Sequence, residues 1–199
     1  MPRTTAAHAI EMRQRILDGA YRAMLAGGYR GTTMPAIAAE SDVSVGLLYR
    51  YFDSKEELYL AMCEGVTQAQ LDELAAHLGT IADPRERVAA AVRHFVESLE
   101  AEGWGAIVTT GWAEADVRPG LRDILRRRCD QIRSFAAMFL REAMARGELA
   151  PGIDIEELSL ATAMLMDGVI AHHAENGDRF DADLAQRSVN ALLEPVMRS

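Results

Sequence analysis

Apolar residues along this chain recur at three- and four-residue intervals almost throughout, the spacing that gathers them on one face of an α-helix. Ile16, Leu17, Ala20, Met24 and Leu25 predict an amphipathic first helix over about residues 8–26, stopped by Gly27-Gly28. Thr33 is suited to cap a shorter second helix ending near Ser41, with Pro35 in its first turn, where a missing N–H is tolerated. Ser44 caps a third helix within VGLLYRY, and Ser54 with Glu57 forms a capping box that opens a long fourth helix over about 55–78. Beyond Asp83-Pro84, the positions Val88, Val92, Phe95, Val96 and Leu99 mark a fifth helix, and Gly103-Trp104-Gly105 separates it from a shorter sixth through Glu114. Pro119 opens a seventh with Leu121, Leu125, Ile132, Phe135, Phe139 and Ala143 as its stripe, ended by Gly147 and Pro151-Gly152. An eighth spans about 155–174 and a ninth about 181–197. No segment alternates convincingly as a strand, so the expected fold class is all-α with about nine helices.

The third helix is short and unusually apolar. Leu48 and Phe52, four apart, share an inner face with Val43, which leaves Val45, Gly46, Leu47, Tyr49 and Arg50 outward or flanking. Two short helices joined by a tight turn at Asp42-Val43 have the build of a helix-turn-helix, with the third helix offered to the major groove of double-stranded DNA. The chemistry suits that groove. Arg50 can fork two hydrogen bonds to a guanine edge, the Tyr49 and Tyr51 hydroxyls can reach phosphate oxygens, and Val45 and Leu47 can pack on thymine methyls. Gly46 allows close backbone approach, and Lys55 in the first turn of the fourth helix suits a phosphate clamp. Periodicity alone also fits a small helical bundle in which Leu47, Tyr49 and Tyr51 are core.

The residues Gly28-Tyr29, Thr32-Thr33, Ile37-Ala38, Val43-Ser44, Gly46, Leu48-Tyr49, Tyr51-Phe52, Ser54-Lys55 and Glu57-Leu58 closely resemble the signature of the tetracycline-repressor (TetR) family. The match is dense over about residues 10–60. The resemblance implies an all-helical homodimer with an N-terminal three-helix DNA-binding domain, taken here as residues 1–54, and a C-terminal helical-bundle regulatory and dimerisation domain, 55–199. It implies that Thr33, Ser44, Gly46, Leu47, Tyr49, Tyr51 and Lys55 stand at the DNA. Leu47 and Pro35 depart from the small polar residues many members carry, and each removes a potential hydrogen bond to the operator.

Net charge is −9, which by itself argues against a phosphate-rich partner. Its distribution changes that picture: residues 1–56 hold seven basic and six acidic side chains, while 57–199 hold fourteen and twenty-four. A nearly neutral, arginine-bearing head precedes an acidic body. No apolar run reaches the ~20 residues needed to span a bilayer, and no signal segment opens the chain, so a cytoplasmic location and no membrane partner are expected. Cys63 and Cys129 read as buried structural thiols. Acyl-transfer, nucleotide and zinc signatures are missing, so neither an enzyme, a cofactor nor a metal is expected.

A single helix-turn-helix reads one half-site, so a two-half-site operator calls for a homodimer. The eighth helix is apolar around most of its circumference, and Leu158, Leu165 and Val169 with Leu184 and Leu192 of the ninth are the expected interface. Met62, Phe95, Trp104, Trp112, Phe135, Met138, Phe139, Met164 and Met166 are soft or aromatic residues suited to lining a cavity for a hydrophobic small-molecule effector. Asp167, in LMDGVI, is a candidate pocket carboxylate or a structural residue, and His94 and His172 are further polar candidates. Arg126-Arg127-Arg128 reads as a solvated face. The expected function is a repressor released from its operator by such an effector; the alternative is a DNA-binding regulator whose body is a protein-interaction module.

Overall fold

The computed structural model describes residues 2–116 and 118–198, with side chains for 6–99, 103–116 and 118–198. Among these residues nine α-helices follow in order: α1 (Pro2–Gly31), α2 (Met34–Glu40), α3 (Val45–Leu48), α4 (Lys55–Leu78), α5 (Pro84–Glu102), α6 (Trp104–Ala115), α7 (Pro119–Ala145), α8 (Ile155–Asn176) and α9 (Ala182–Leu193). The class is all-α as expected. α1 is interrupted at Gly28, whose φ of 63° is open to glycine but strained for other residues, so the predicted stop is a kink followed by one further turn. α9 is shorter than expected because Glu194-Pro195-Val196 tightens into a 3₁₀ turn. The one departure toward β-structure among the described residues is an isolated bridge between Leu149 and Met197.

The chain condenses into two compact units, 1–66 with 106–125, and 67–105 with 126–199. The first is therefore larger than the expected 1–54 head. Ile16, Ala20, Ile37, Leu48, Phe52 and Leu58 are essentially inaccessible, and Ile107, Leu121 and Ile124 from α6 and α7 join the same core. Tyr59 ties α4 to α6 by donating from its hydroxyl to the Ile107 carbonyl at 2.6 Å. The second unit is built from the remainder of α4 and α7 with α5, α8 and α9, and Leu74, Leu78 and Ala90 pack there with Phe135 and Phe139. Capping fixes the starts of its helices: Asp83 accepts from the Arg85 and Glu86 amides, Asp154 from those of Glu156 and Glu157, and Asp181 from that of Leu184.

Candidate functional site

The turn between α2 and α3 determines what the third helix presents. Asp42 adopts φ 52°, a left-handed conformation that aspartate tolerates better than most residues, and the Val43 amide returns to the Ala38 carbonyl at 2.9 Å. α3 then starts where Ser44 accepts from the Leu47 amide at 3.1 Å. The regular helix is one turn long, and Arg50 and Tyr51 continue it through bonds to the Leu47 and Leu48 carbonyls at 3.1 and 3.0 Å. The helix expected within VGLLYRY is thus a turn of α-helix with a tighter tail.

Burial divides this segment as its period required. Leu48 and Phe52 are sealed in the core, Val43 and Tyr51 pack partly against it, and Ser44, Val45, Gly46, Tyr49 and Arg50 are exposed. Leu47 is half-buried, at the edge of the outward face. Arg50 has no hydrogen-bond or ion-pair partner among the described residues, whereas Arg15 and Arg22 are engaged by Asp42 and Glu40. A surface guanidinium with all its donors open beside an exposed tyrosine can read a base edge or hold a phosphate. Thr33 is exposed and caps α2 through the Ala36 amide at 3.3 Å.

Lys55 is placed differently from the expected clamp. Its ammonium donates to the Tyr29 and Thr32 carbonyls at 2.6 and 2.8 Å and sits 4.2 Å from the Tyr29 ring centroid. Two of its three donors are spent tying α4 to the end of α1, and burial lowers its pKa. The capping box at the start of α4 is also shifted by one residue: the Glu57 amide donates to the Ser54 hydroxyl, but the Glu57 carboxylate accepts from the Asp53 amide at 2.7 Å. Beside Lys55, the nearly buried Glu114 pairs with Arg30 and with Arg118, which also reaches Glu56 at 3.2 Å.

The second unit contains a cavity of about 190 Å³ walled almost entirely by apolar side chains of α4, α5, α7, α8 and α9. Of the expected pocket residues, Phe95, Phe135, Phe139 and Met166 line it. The others are corrected. Met62 lies in the core of the first unit, and Trp112 belongs to that unit too. Met138 and Met164 face outward, 44% and 65% exposed. Trp104 is buried behind Phe95, with ring centroids 5.6 Å apart. Asp167 is bound to Arg128 at 2.7 Å rather than on the wall, so Arg128, expected on a solvated face, is instead 5% exposed, with the Trp104 ring 5.8 Å away.

The dimer expectation needs the same kind of correction. Leu158, Leu165 and Val169 turn inward and line the cavity. Leu184 and Leu192 are 53% and 65% exposed, and on α8 the large exposed apolar residues are Leu160 and Met164. Cys63 and Cys129 are half-buried and not joined in a disulfide, and burial pushes the Cys129 thiol up, away from the reactive thiolate. His173 packs edge-on against Phe180 at 4.9 Å. No group of three or more His, Cys, Asp or Glu among the described residues is arranged to hold a metal, and none of the described helices is long and apolar enough to cross a membrane.

Sequence reasoning missed three charged residues on the cavity wall: Arg87, Arg146 and Glu148. A signal was present. Arg87 is in helical phase with Ala91 and Phe95, and Arg146 follows Phe139 and Ala143 at seven and three residues, so each arginine continues an apolar stripe.

Residues 16–62 match the profile described as "Bacterial regulatory proteins, tetR family", and residues 84–198 match "BetI-type transcriptional repressor, C-terminal". The HTH-type transcriptional regulator UidR of Escherichia coli (strain K12) is 30% identical over 190 residues, which cover 93% of this chain and 92% of UidR. Among solved structures, the transcriptional regulator FadR of Bacillus subtilis in complex with stearoyl-CoA superimposes with a TM-score of 0.77 at 20% identity, over 90% of this chain and 96% of FadR. A putative transcriptional regulator of Saccharomonospora viridis in complex with choline gives a TM-score of 0.73 at 26% identity, over 95% and 99%.

Proposed function

This chain belongs to the tetR family of bacterial regulatory proteins, and on that premise we propose that it is a dimeric repressor released from its operator by a hydrophobic small molecule held in the second unit. It is a DNA-binding transcriptional regulator; the repressor sense, the dimer and the effector are the proposal. The observation that carries it is the apolar cavity. A guest that fills an apolar space of about 190 Å³ removes its own and the wall's apolar surface from water, and by binding the folded chain it stabilises the unit. A body that served only as a protein-interaction module would need no apolar space inside it, and the cavity favours the small-molecule reading.

The head supplies the reader: Tyr49, Arg50, Val45 and Gly46 meet the major groove, with Thr33, Ser44, Leu47 and Tyr51 at its edge. Leu160, Met164, Leu184 and Leu192 supply the two-fold contact, because leaving four large apolar side chains of α8 and α9 in water is otherwise unfavourable. α4 begins beside the reader and contributes Leu71, Leu74 and Leu78 to the cavity wall, so one helix experiences both ligands. Release is linkage: lowering operator affinity a hundredfold requires the effector to prefer the DNA-incompetent state by about 2.8 kcal/mol.

The test selects DNA from random-sequence pools with the full chain, then measures affinity on the selected site with and without hydrophobic compounds. The expected result is a dyad-symmetric site, a dimer by sedimentation, and affinity that falls as compound is added. Arg50→Ala should relax the selected sequence at one position per half-site. Affinity unmoved by every compound bound in the cavity would remove the effector; binding of single half-sites by a monomer would remove the dimer.

A further inference from the structure

We propose that the cavity is built for an amphipathic acid, an apolar body with one anionic terminus, and that Arg87 is the residue that selects it. The proposal rests on the reading that this unit binds a small molecule. The charged residues of the wall gather where the first turn of α5 meets the end of α7 and the turn after it. Glu148 bonds to Arg87 Nη2 through one carboxylate oxygen at 2.5 Å and to Arg146 Nε through the other at 3.0 Å. Its two oxygens are thereby engaged. The two guanidinium groups are not exhausted, and the wall carries one positive charge in excess. Glu142, which is not part of the wall, approaches Arg146 at 3.7 Å, but both side chains are about half exposed and water screens the pair.

Arg87 is the sharper observation. Its side chain is 15% exposed, and among the described residues Glu148 is its only partner, through one of the five N–H donors a guanidinium carries. Its other N–H groups are not sealed from solvent, so they can exchange water for an arriving acceptor, and a carboxylate fits that fork with two parallel bonds. The remaining polar wall residue, Thr162, spends its hydroxyl on the Leu158 carbonyl at 2.8 Å. From Arg87 to Val96 the α5 wall rises about 13 Å, so an elongated apolar tail lies along it with its acid at Arg87. A cation finds no welcome: Glu148 is held by two arginines, and Asp167, off the wall, is held by Arg128.

The experiment uses the full chain loaded with the neutral fluorophore N-phenylnaphthylamine, displaced in parallel by octanoic acid, octanol, octylamine and choline at neutral pH. Octanoate is expected to displace it at roughly tenfold lower concentration than octanol, with octylamine and choline weakest. In Arg87→Gln the gap between octanoate and octanol should close while octanol displacement stays, which also reports that the cavity has folded. Equal potency of octanoate and octanol in the native chain, or a lead for octylamine or choline, overturns the acid assignment and leaves the effector reading standing. Loss of both octanoate and octanol displacement together in Arg87→Gln and in Arg146→Gln, with unchanged melting, overturns the selective role of Arg87. No binding of the fluorophore and no displacement by any compound overturns the effector reading itself, and the acid assignment with it.

Discussion

Replacing Gly19 by alanine tests how α1 positions the reader. A Cβ on Gly19 would lie 2.1 Å from the Ser41 Oγ, 2.8 Å from its amide nitrogen and 2.9 Å from its Cα. Ser41 is 1% exposed, ends α2, and donates from its hydroxyl to the Ile37 carbonyl at 2.7 Å. The hydroxyl can rotate away, but the amide nitrogen and Cα can only move with α2. Overpacking of this kind costs about 1–3 kcal/mol, and against it alanine gains about 0.5–1 kcal/mol over glycine in a helix. Mid-range values leave a net loss of about 1 kcal/mol, and the backbone contacts under 3.0 Å push it toward the upper bound of about 2.5 kcal/mol, roughly 2–10 °C in Tm for a chain of this length. Gly65, inside α4, has nothing within 4 Å of its Cβ position, so Gly65→Ala carries only the gain and should raise Tm by about 1–4 °C. The same substitution at two helical glycines should therefore move stability in opposite directions, read by calorimetry or urea titration. Because α3 follows α2 through the Asp42 turn, Gly19→Ala should also lose DNA affinity at temperatures where it remains folded. A Gly19→Ala variant as stable as the native chain, or more so, would show that α1 and α2 do not meet as closely as the geometry requires.

Other residues of the two units make separable predictions. Lys55→Met removes two charge-assisted bonds to the Tyr29 and Thr32 carbonyls and should cost about 1–3 kcal/mol. It should weaken DNA binding with the salt slope unchanged, whereas a slope smaller by about one would show that Lys55 holds a phosphate after all. The buried Tyr29 hydroxyl has no partner among the described residues, and burial first, then the Glu56 charge, raises its pKa above the ordinary 10.0. The folded state therefore keeps this proton after the unfolded chain has begun to release it. Native stability is full below pH 10.0 and falls as pH climbs from there toward the folded pKa. Tyr29→Phe should match or exceed native stability at neutral pH, with an advantage that widens above pH 10 in urea melts; a loss of about 1 kcal/mol or more at neutral pH would mean the hydroxyl is satisfied. Asp167→Asn strands the buried Arg128 charge and should cost about 3–5 kcal/mol, much of it recovered when Arg128→Met is added in a double-mutant cycle.

What the sequence determined by itself is local. The period of apolar residues, the Thr33, Ser44 and Ser54 caps, and the stops at Gly103, Gly147 and Pro151 specify helices because each acts over a turn or two. α4 accordingly spans the 55–78 expected of it. The outward set around α3 was equally legible, since Leu48 and Phe52 can be buried only if Tyr49 and Arg50 are not. Packing between distant segments decided the rest. Whether Leu158 or Leu160 of an all-round apolar helix faces its own cavity depends on the rotation of α8, which α5, α7 and α9 fix together. Lys55 became a tie because the end of α1 brings two carbonyls within reach of its ammonium, and no local spacing records that. Arg87 and Arg146 lie on apolar stripes where sequence reads them as breaks in the pattern. Arg146 is two residues from Glu148, but only the fold brings Arg87, 61 residues away, to the same carboxylate.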